Sequence, residues 1–153
     1  MAEKLNVLTL DVETTHKTKE SGGTTALPYF GNTLVSIGYK WLGEDEVGYD
    51  FISHSDNRAF VEDGWFETMQ DTLSSADVIV GQNFKFDLTW LRACGFTYNR
   101  HVYDTMVAEY ILAKAKRWSL SLDSLAKRYG VTQKEKDLVA PYLKDGKTFY
   151  DIP

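Results

Sequence analysis

Apolar residues recur along this chain in short segments, and their spacing predicts both strands and helices. Runs or alternations of apolar residues predict strands at 5–10, 34–41, 47–51, 76–80 and 102–103. Apolar residues three or four positions apart predict helices at 65–73, at 84–93, from 105 onward and at 121–129. The polar segment 14–32 predicts an irregular loop. This order of elements predicts an α/β domain with a mixed sheet, whose early hairpin is antiparallel and whose later strands follow crossover helices.

Length and composition narrow the classes of protein to which the chain can belong. With 153 residues, 43% of them hydrophobic, we expect one packed domain over 1–153. The one cysteine, Cys94, excludes an internal disulfide and a cysteine-based zinc site, and we expect it to be a small core residue. No apolar run approaches the roughly 20 residues that span a bilayer, so we expect no membrane partner. A net charge of −5 is unfavourable for binding nucleic acid through phosphate neutralisation alone.

Two carboxylates stand at the end of the first predicted strand, which we expect to stop on Asp11. Asp11 and Glu13 lie two residues apart, so both point to the same face of an extended strand. Close, partly desolvated carboxylates repel each other, and a divalent cation removes that penalty. Oxygen ligands suit Mg²⁺ or Mn²⁺. The same pair is compatible with a solvated strand end, so the spacing alone leaves both interpretations open.

A second polar cluster, in the segment 81–91, follows a predicted strand and opens a predicted helix. Asn83 fits the N-cap of that helix, and Asp87 lies one turn inside it. Ligands of α/β folds gather at the carboxyl edge of the sheet, where both residues are expected. The structural alternative for Asp87 is a favourable charge near a helix start.

Other polar and aromatic residues are expected to have structural roles. Asp104 directly precedes a predicted helix, which indicates an N-cap rather than a metal ligand. Leu122 is expected to face inward. The tryptophans are expected to be core or half-buried anchors, the histidines to share no ligand site, and two basic runs to be solvated. These residues are Trp41, Trp65, Trp90 and Trp118; His16, His54 and His101; and the runs 116–118 and 134–136.

Together the clusters resemble the DEDD (DnaQ-like) 3′–5′ exonuclease superfamily, which has an RNase H-like fold. Leu10 to Thr15, LDVETT, is similar to its first motif, and Asn83 to Asp87, NFKFD, is similar to its second. The segments 102–112 and 119–130 resemble the proofreading domain of family A DNA polymerases and RNase D-type enzymes. The loop 15–32 and the strand after it are similar to phage-type family A polymerases. The resemblance implies a mixed sheet with flanking helices.

The resemblance also implies a mechanism. Asp11, Glu13 and Asp87 would be catalytic and would bind two divalent metal ions, Mg²⁺ or Mn²⁺, that straddle the scissile phosphate. Substrate-binding residues would be Thr14, Asn83 and Phe86. The substrate would be a single-stranded or frayed DNA 3′ end, and a DNA polymerase domain or subunit would be the partner. A bacterial cytoplasm, or that of a phage-infected host, is the implied location.

One family motif is missing from the chain. The superfamily has Tyr-x-x-x-Asp or His-x-x-x-x-Asp on a late helix, and neither pattern occurs here: Tyr142 and Asp145 are one residue too close. We therefore expect a domain truncated before its third motif, weak or inactive on its own, with the missing helix on another polypeptide. The alternatives are an RNase D-like 3′–5′ exoribonuclease and a catalytically silent domain that binds nucleic acid or a polymerase.

Overall fold

The computed structural model describes residues 4–53, 61–114, 116–132 and 138–152, and its central feature is a mixed β-sheet. The strands are β1 (Val7–Thr14), β2 (Lys17–Thr18), β3 (Thr24–Thr25), β4 (Leu34–Trp41), β5 (Gly48–Phe51), β6 (Val78–Gly81) and β7 (His101–Asp104). The helices are α1 (Trp65–Ser75), α2 (Lys85–Ala93), α3 (Thr105–Leu112), α4 (Leu122–Tyr129) and α5 (Ala140–Lys144), with 3-10 turns at Pro28–Phe30 and Phe149–Asp151.

Strand directions in the main sheet confirm the predicted topology. Within the described residues the strand order is β5-β4-β1-β6-β7. The pairs β5–β4 and β4–β1 are antiparallel, and the pairs β1–β6 and β6–β7 are parallel. Strands β6 and β7 therefore present their carboxyl ends at the same edge, and α2 and α3 begin there.

The core lies on one face of β1 and is covered by α1 and α2. Leu8, Leu10 and Val12 are buried on alternate positions of β1, so the residues between them face away from this core. Met69 and Leu73 of α1 join the same apolar cluster. The alternation therefore places Asp11 and Glu13 on the face of β1 opposite the core.

Several sequence-based expectations about elements were wrong. Strand β1 does not stop at Asp11 but continues to Thr14, because β4 pairs with it along that length. The segment 14–32 is not wholly irregular, since β2 and β3 form a small antiparallel ribbon within it. Asn83 is not the N-cap of α2: it has a left-handed backbone with φ of 54°, and the cap position falls on Phe84.

Three side chains expected in the interior are exposed instead. Cys94 follows the last turn of α2 at the surface. Leu122 is 54% exposed because the first turn of α4 projects it outward, although Leu125 and Ala126 are buried as expected. Trp118 is exposed and lies under two cations, with Arg128 Cζ 4.6 Å and Lys116 Nζ 4.7 Å from the ring centroid.

The structure tests some of the other expectations about tryptophans, histidines and basic runs, and the rest fall on residues that it does not describe. Trp90 is buried, and Trp41 and Trp65 are half-buried, as expected. His16 and His101 are exposed, whereas His54 and the run 134–136 lie outside the described residues. Across the described ranges, no helix has the length and apolar character needed to cross a membrane.

Candidate active site

Asp11 and Glu13 occupy the solvent-facing side of β1, in the centre of the sheet. Asp11 is exposed and stands opposite Gly38 of β4, and Glu13 is half-buried and stands opposite Ser36. Both carboxylates therefore lie on one face, as their spacing predicted.

Asp87 reaches this part of the sheet from the first turn of α2. Its side chain is 3% exposed, and its Oδ1 accepts a hydrogen bond of 2.9 Å from the backbone N–H of Val12. On that side of β1 the pairing with β6 extends only as far as Thr9, which leaves the N–H of Val12 available to a side chain. The bond joins α2 to β1 at the residue between Asp11 and Glu13. The fold thus brings together two residues that are 75 positions apart in the sequence.

The electrostatics of Asp87 reflect this crowding. The pKa of its carboxyl is raised from 3.8 to about 7, chiefly by burial. The negative charges of Asp11 and Glu13 add to the increase, and the hydrogen bond from Val12 opposes it. The ionised form of Asp87 is therefore costly unless a positive charge lies nearby.

The chemistry of these side chains fits a divalent cation. Carboxylate oxygens are the ligands that Mg²⁺ and Mn²⁺ prefer, and a nearby cation would offset both the burial and the repulsion from Asp11 and Glu13 that raise the pKa of Asp87. Over the described ranges, however, no three His, Cys, Asp or Glu side chains are already grouped so that they could hold an ion. The carboxylates are neighbours, but they are not arranged as a finished ligand cage.

The three predicted substrate-binding residues differ in their surroundings. Asn83 is exposed in the turn between β6 and α2. Phe86 is half-buried and packs against the core cluster. Thr14 is only 8% exposed and follows the buried alternation of β1, so little of its surface is open to a ligand. Of the three, Asn83 has the most surface available for contact.

Asp11 borders two clefts. One, of about 610 Å³, runs between β1, α3 and α4, and its wall is largely apolar. Its lining includes Tyr103, Leu112, Leu122 and Tyr129. The other, of about 320 Å³, is lined by both Asp11 and Glu13 together with Phe149 and Ile152. Asp11 therefore stands where the two clefts approach each other, with Glu13 beside the smaller one.

Two residues near the site were not expected to shape it. Asp104 is the N-cap of α3, as predicted, but its carboxylate also accepts hydrogen bonds from the backbone of the β6–α2 turn. Gly81 lies directly under the ring of Phe84, and an added Cβ would be 2.1 Å from that ring. The role of Asp104 has no local signal in the sequence, because it depends on a contact between segments about 20 residues apart.

Comparison with known proteins identifies the family. A family model described as 3′–5′ exonuclease matches residues 1–145. The chain belongs to the 3′–5′ exonuclease family. It is also 27% identical over 107 residues to the DNA polymerase I of Borreliella burgdorferi, a match that covers 69% of this chain and 11% of that polymerase. The chain thus spans a small part of the length of that relative.

The structure of this exonuclease domain agrees with its family. Its mixed sheet with flanking helices is the RNase H-like arrangement that the resemblance implied. The family match supports hydrolysis of phosphodiester bonds from 3′ ends as the activity of the domain.

A second buried carboxylate near the cleft has a structural explanation. Glu109 of α3 is 4% exposed and forms an ion pair with Arg128 of α4, and the hydroxyl of Tyr129 donates a 2.7 Å hydrogen bond to it. These partners compensate the buried charge of Glu109, and the contacts join α3 to α4. Its burial is therefore explained without a bound metal ion.

Proposed function

We propose that this exonuclease domain is metal-dependent and removes nucleotides from DNA 3′ ends, as the proofreading module of a family A DNA polymerase. The observation that carries the proposal is the hydrogen bond from the Val12 N–H to Asp87, which holds this buried carboxylate beside the strand that bears Asp11 and Glu13. Burial chiefly, and the charges of Asp11 and Glu13 in addition, raise the pKa of Asp87. An anionic phosphodiester would be repelled by such a site without bound cations.

Asp11, Glu13 and Asp87 are the residues that would hold the ions. When bound there, divalent ions would activate a water molecule for attack near neutral pH and would offset the negative charge that develops on the leaving 3′ oxygen. Mg²⁺ or Mn²⁺ suits the all-oxygen donor set. In the protein, the Val12 N–H fixes the orientation of the Asp87 carboxylate, and β1 fixes the spacing of Asp11 and Glu13.

The clefts suggest how a DNA end would be seated. Single-stranded nucleic acid is bound by stacking of bases on aromatic and apolar side chains. The larger cleft offers Tyr103 and Tyr129 beside Leu112, and it leads to Asp11. In this proposal Asn83, Thr14 and Phe86 contact the terminal nucleotide, with Asn83 contributing most because it is exposed. A frayed end fits this site better than paired DNA, whose bases are stacked on each other.

A polymerase is the proposed partner, and a bacterial or phage-infected cytoplasm is the proposed location. The similarity to a bacterial DNA polymerase I supports this association. The Tyr-x-x-x-Asp pattern of the superfamily is absent from these 153 residues. We propose that a segment carrying it completes the site with a fourth carboxylate and a hydroxyl that orients water.

The metal site can be tested by thermal unfolding with increasing Mn²⁺. We expect Mn²⁺ to raise the melting temperature of the native chain, because a ligand that binds only the folded state stabilises it. An Asp11→Ala, Asp87→Ala double variant should lose that increase. The matched control is a Glu67→Ala, Asp71→Ala double variant, which removes two exposed carboxylates of α1 and should keep it.

Equal stabilisation of the site variant and the native chain by Mn²⁺ would refute the assignment of the ligands. The substrate class is tested separately, by comparing digestion of labelled single-stranded DNA and RNA oligonucleotides. Faster digestion of RNA would favour the exoribonuclease alternative, and nucleic-acid binding without metal-dependent nucleotide release would favour the silent binding domain.

A further inference from the structure

The carboxylate of Asp104 receives more hydrogen bonds than a helix cap requires. As the N-cap of α3, it accepts from the N–H of Met106 at 2.9 Å and from that of Val107 at 3.4 Å, both on Oδ1. The same carboxylate accepts from the N–H of Asn83 at 3.1 Å on Oδ1 and from that of Phe84 at 2.8 Å on Oδ2. Asp104 therefore binds the starts of two helices, its own and α2.

The two additional bonds fall on an unusual piece of backbone. Asn83 has φ of 54°, a left-handed conformation that few non-glycine residues adopt, asparagine being among those that adopt it most readily. Phe84 is the N-cap of α2 and makes no side-chain cap hydrogen bond of its own. Asp104 thus supplies, from a neighbouring strand, the acceptors that the start of α2 lacks.

The sheet explains why this residue reaches that turn. Gly81, the last residue of β6, pairs in register with Asp104, the last residue of the parallel strand β7. The next residue, Thr105, donates a hydrogen bond of 3.2 Å to the carbonyl of Gly81 and contacts the side chain of Gln82. Gln82 in turn donates to the carbonyl of Leu120 at 2.7 Å. The whole β6–α2 turn is therefore tied to the β7–α3 junction, with Asp104 bonded to its left-handed residue, Asn83.

We propose that Asp104 is a positioning residue of the exonuclease site. It holds Asn83 in its left-handed conformation and fixes the first turn of α2, which carries Asp87 to β1. This inference rests on the proposed function, in which Asn83 contacts the substrate and Asp87 binds metal. The same side chain also caps α3, and a substitution can weaken its contact with the β6–α2 turn while the cap is kept.

Asp104→Asn separates them because asparagine caps helices about as well as aspartate. Its amide oxygen, at the position of Oδ1, can keep the bonds to α3 and to the N–H of Asn83, whereas its NH₂ group would face the N–H of Phe84, a donor against a donor, so the bond to Phe84 is the one that is lost. Asp104→Ala removes both duties. Ser121→Ala is the matched control, because it removes the N-cap of α4 and has no bond to the β6–α2 turn.

The first measurement is amide hydrogen exchange of the metal-free, full 153-residue chain, read at Phe84 and Asn83. We expect exchange at Phe84 to be about tenfold faster in Asp104→Asn, since hydrogen bonds to charged groups are among the stronger ones in proteins. In Asp104→Ala both amides should exchange faster, and in Ser121→Ala neither should change. Unchanged exchange at Phe84 in a folded Asp104→Asn chain would overturn the proposal.

The second measurement is Mn²⁺ affinity, from the metal dependence of thermal unfolding. Loss of residues that orient ligands typically weakens metal binding by about tenfold or more, and we expect that loss in Asp104→Asn but not in Ser121→Ala. Faster exchange with unchanged Mn²⁺ affinity would also overturn the proposal, since Asp104 would then hold the turn without serving the site. A native chain that binds no Mn²⁺ would instead refute the metal site of the proposed function, and the exchange rates alone would decide whether Asp104 holds the turn.

Discussion

Opposing effects act on the ionisation of Asp87. Burial and two neighbouring carboxylates disfavour its charge, and backbone hydrogen bonds from Val12 and from its own N–H favour it. The net result is a pKa near neutrality, where ordinary aspartates are fully ionised. A group in this condition binds either a proton or a cation, so stability and metal binding should both depend on pH.

We predict that the metal-free chain becomes less stable as pH rises from about 4 to about 7. Over that interval the folded chain retains the proton of Asp87 while the unfolded chain has lost it, so the free energy of unfolding falls with pH. One such group gives a slope of at most about 1.4 kcal/mol per pH unit. Urea unfolding at several pH values measures this slope.

Asp87→Asn should flatten that pH dependence, whereas Asp71→Asn, on the exposed face of α1, should leave it as in the native chain. Mn²⁺ affinity of the native chain should rise over the same interval, because the ion must displace the proton. A native chain whose stability is constant between pH 4 and 7 would contradict the raised pKa of Asp87.

At the scale of elements, the β6–α2 turn decides where the second cluster lies. Phe84 is fully buried, and its ring packs over Gly81. This close packing brings the start of α2 next to the last residue of β6, at the edge of the sheet. The turn is then held by Asp104 from β7. Close approach of the ring requires that residue 81 have no side chain.

We predict that Gly81→Ala destabilises the domain by about 1–3 kcal/mol, the usual cost of overpacking a core. The added methyl group would meet the Phe84 ring at 2.1 Å, so the ring and the turn must shift. Gly38→Ala in β4 is the control, because its Cβ would make ordinary contact, 3.5 Å from Tyr49. Denaturant midpoints provide the comparison, and equal midpoints for the two variants would show that Phe84 does not constrain this position.

At the scale of the whole molecule, the domain combines a net charge of −5 with a proposed anionic substrate. Asp11 and Glu13 lie on one face of the central strand, Asp87 approaches the same strand from α2, and the larger cleft beside Asp11 is mainly apolar. Affinity for a DNA end would therefore come from bound cations and base stacking more than from a basic surface.

We predict that the 153-residue chain digests single-stranded DNA slowly with Mg²⁺, and that joining a segment with the Tyr-x-x-x-Asp motif raises the rate about 100-fold. Mg²⁺ requires near-octahedral oxygen coordination, and small misplacement of reacting groups costs about 100-fold in rate. Release of labelled nucleotides from the two chains is the measurement. Full activity of the 153-residue chain would mean that one of its own carboxylates, Asp145 or Asp151, fills the fourth position.

The sequence by itself determined the features that depend on near neighbours. Alternating apolar spacing located β4 at its observed bounds, and the Asp104–Thr105 pair identified the helix cap and the first residue of α3. These signals are readable because strand alternation, helical periodicity and capping are set within a few residues of the chain. The exonuclease motifs were readable for the same reason, since each occupies one short segment.

Tertiary structure alone decided the features that join distant segments. The pairing of β1 with β4 extends β1 past Asp11, and the Val12–Asp87 bond links residues 75 positions apart. The left-handed Asn83 depends on Asp104, and it replaced the helix cap that local composition favoured. A hydrogen-bond partner on a distant segment has no signal in the local pattern of residues. The burial of Asp87 and the bonds from the β6–α2 turn to Asp104 therefore arise only when the sheet brings its strands together.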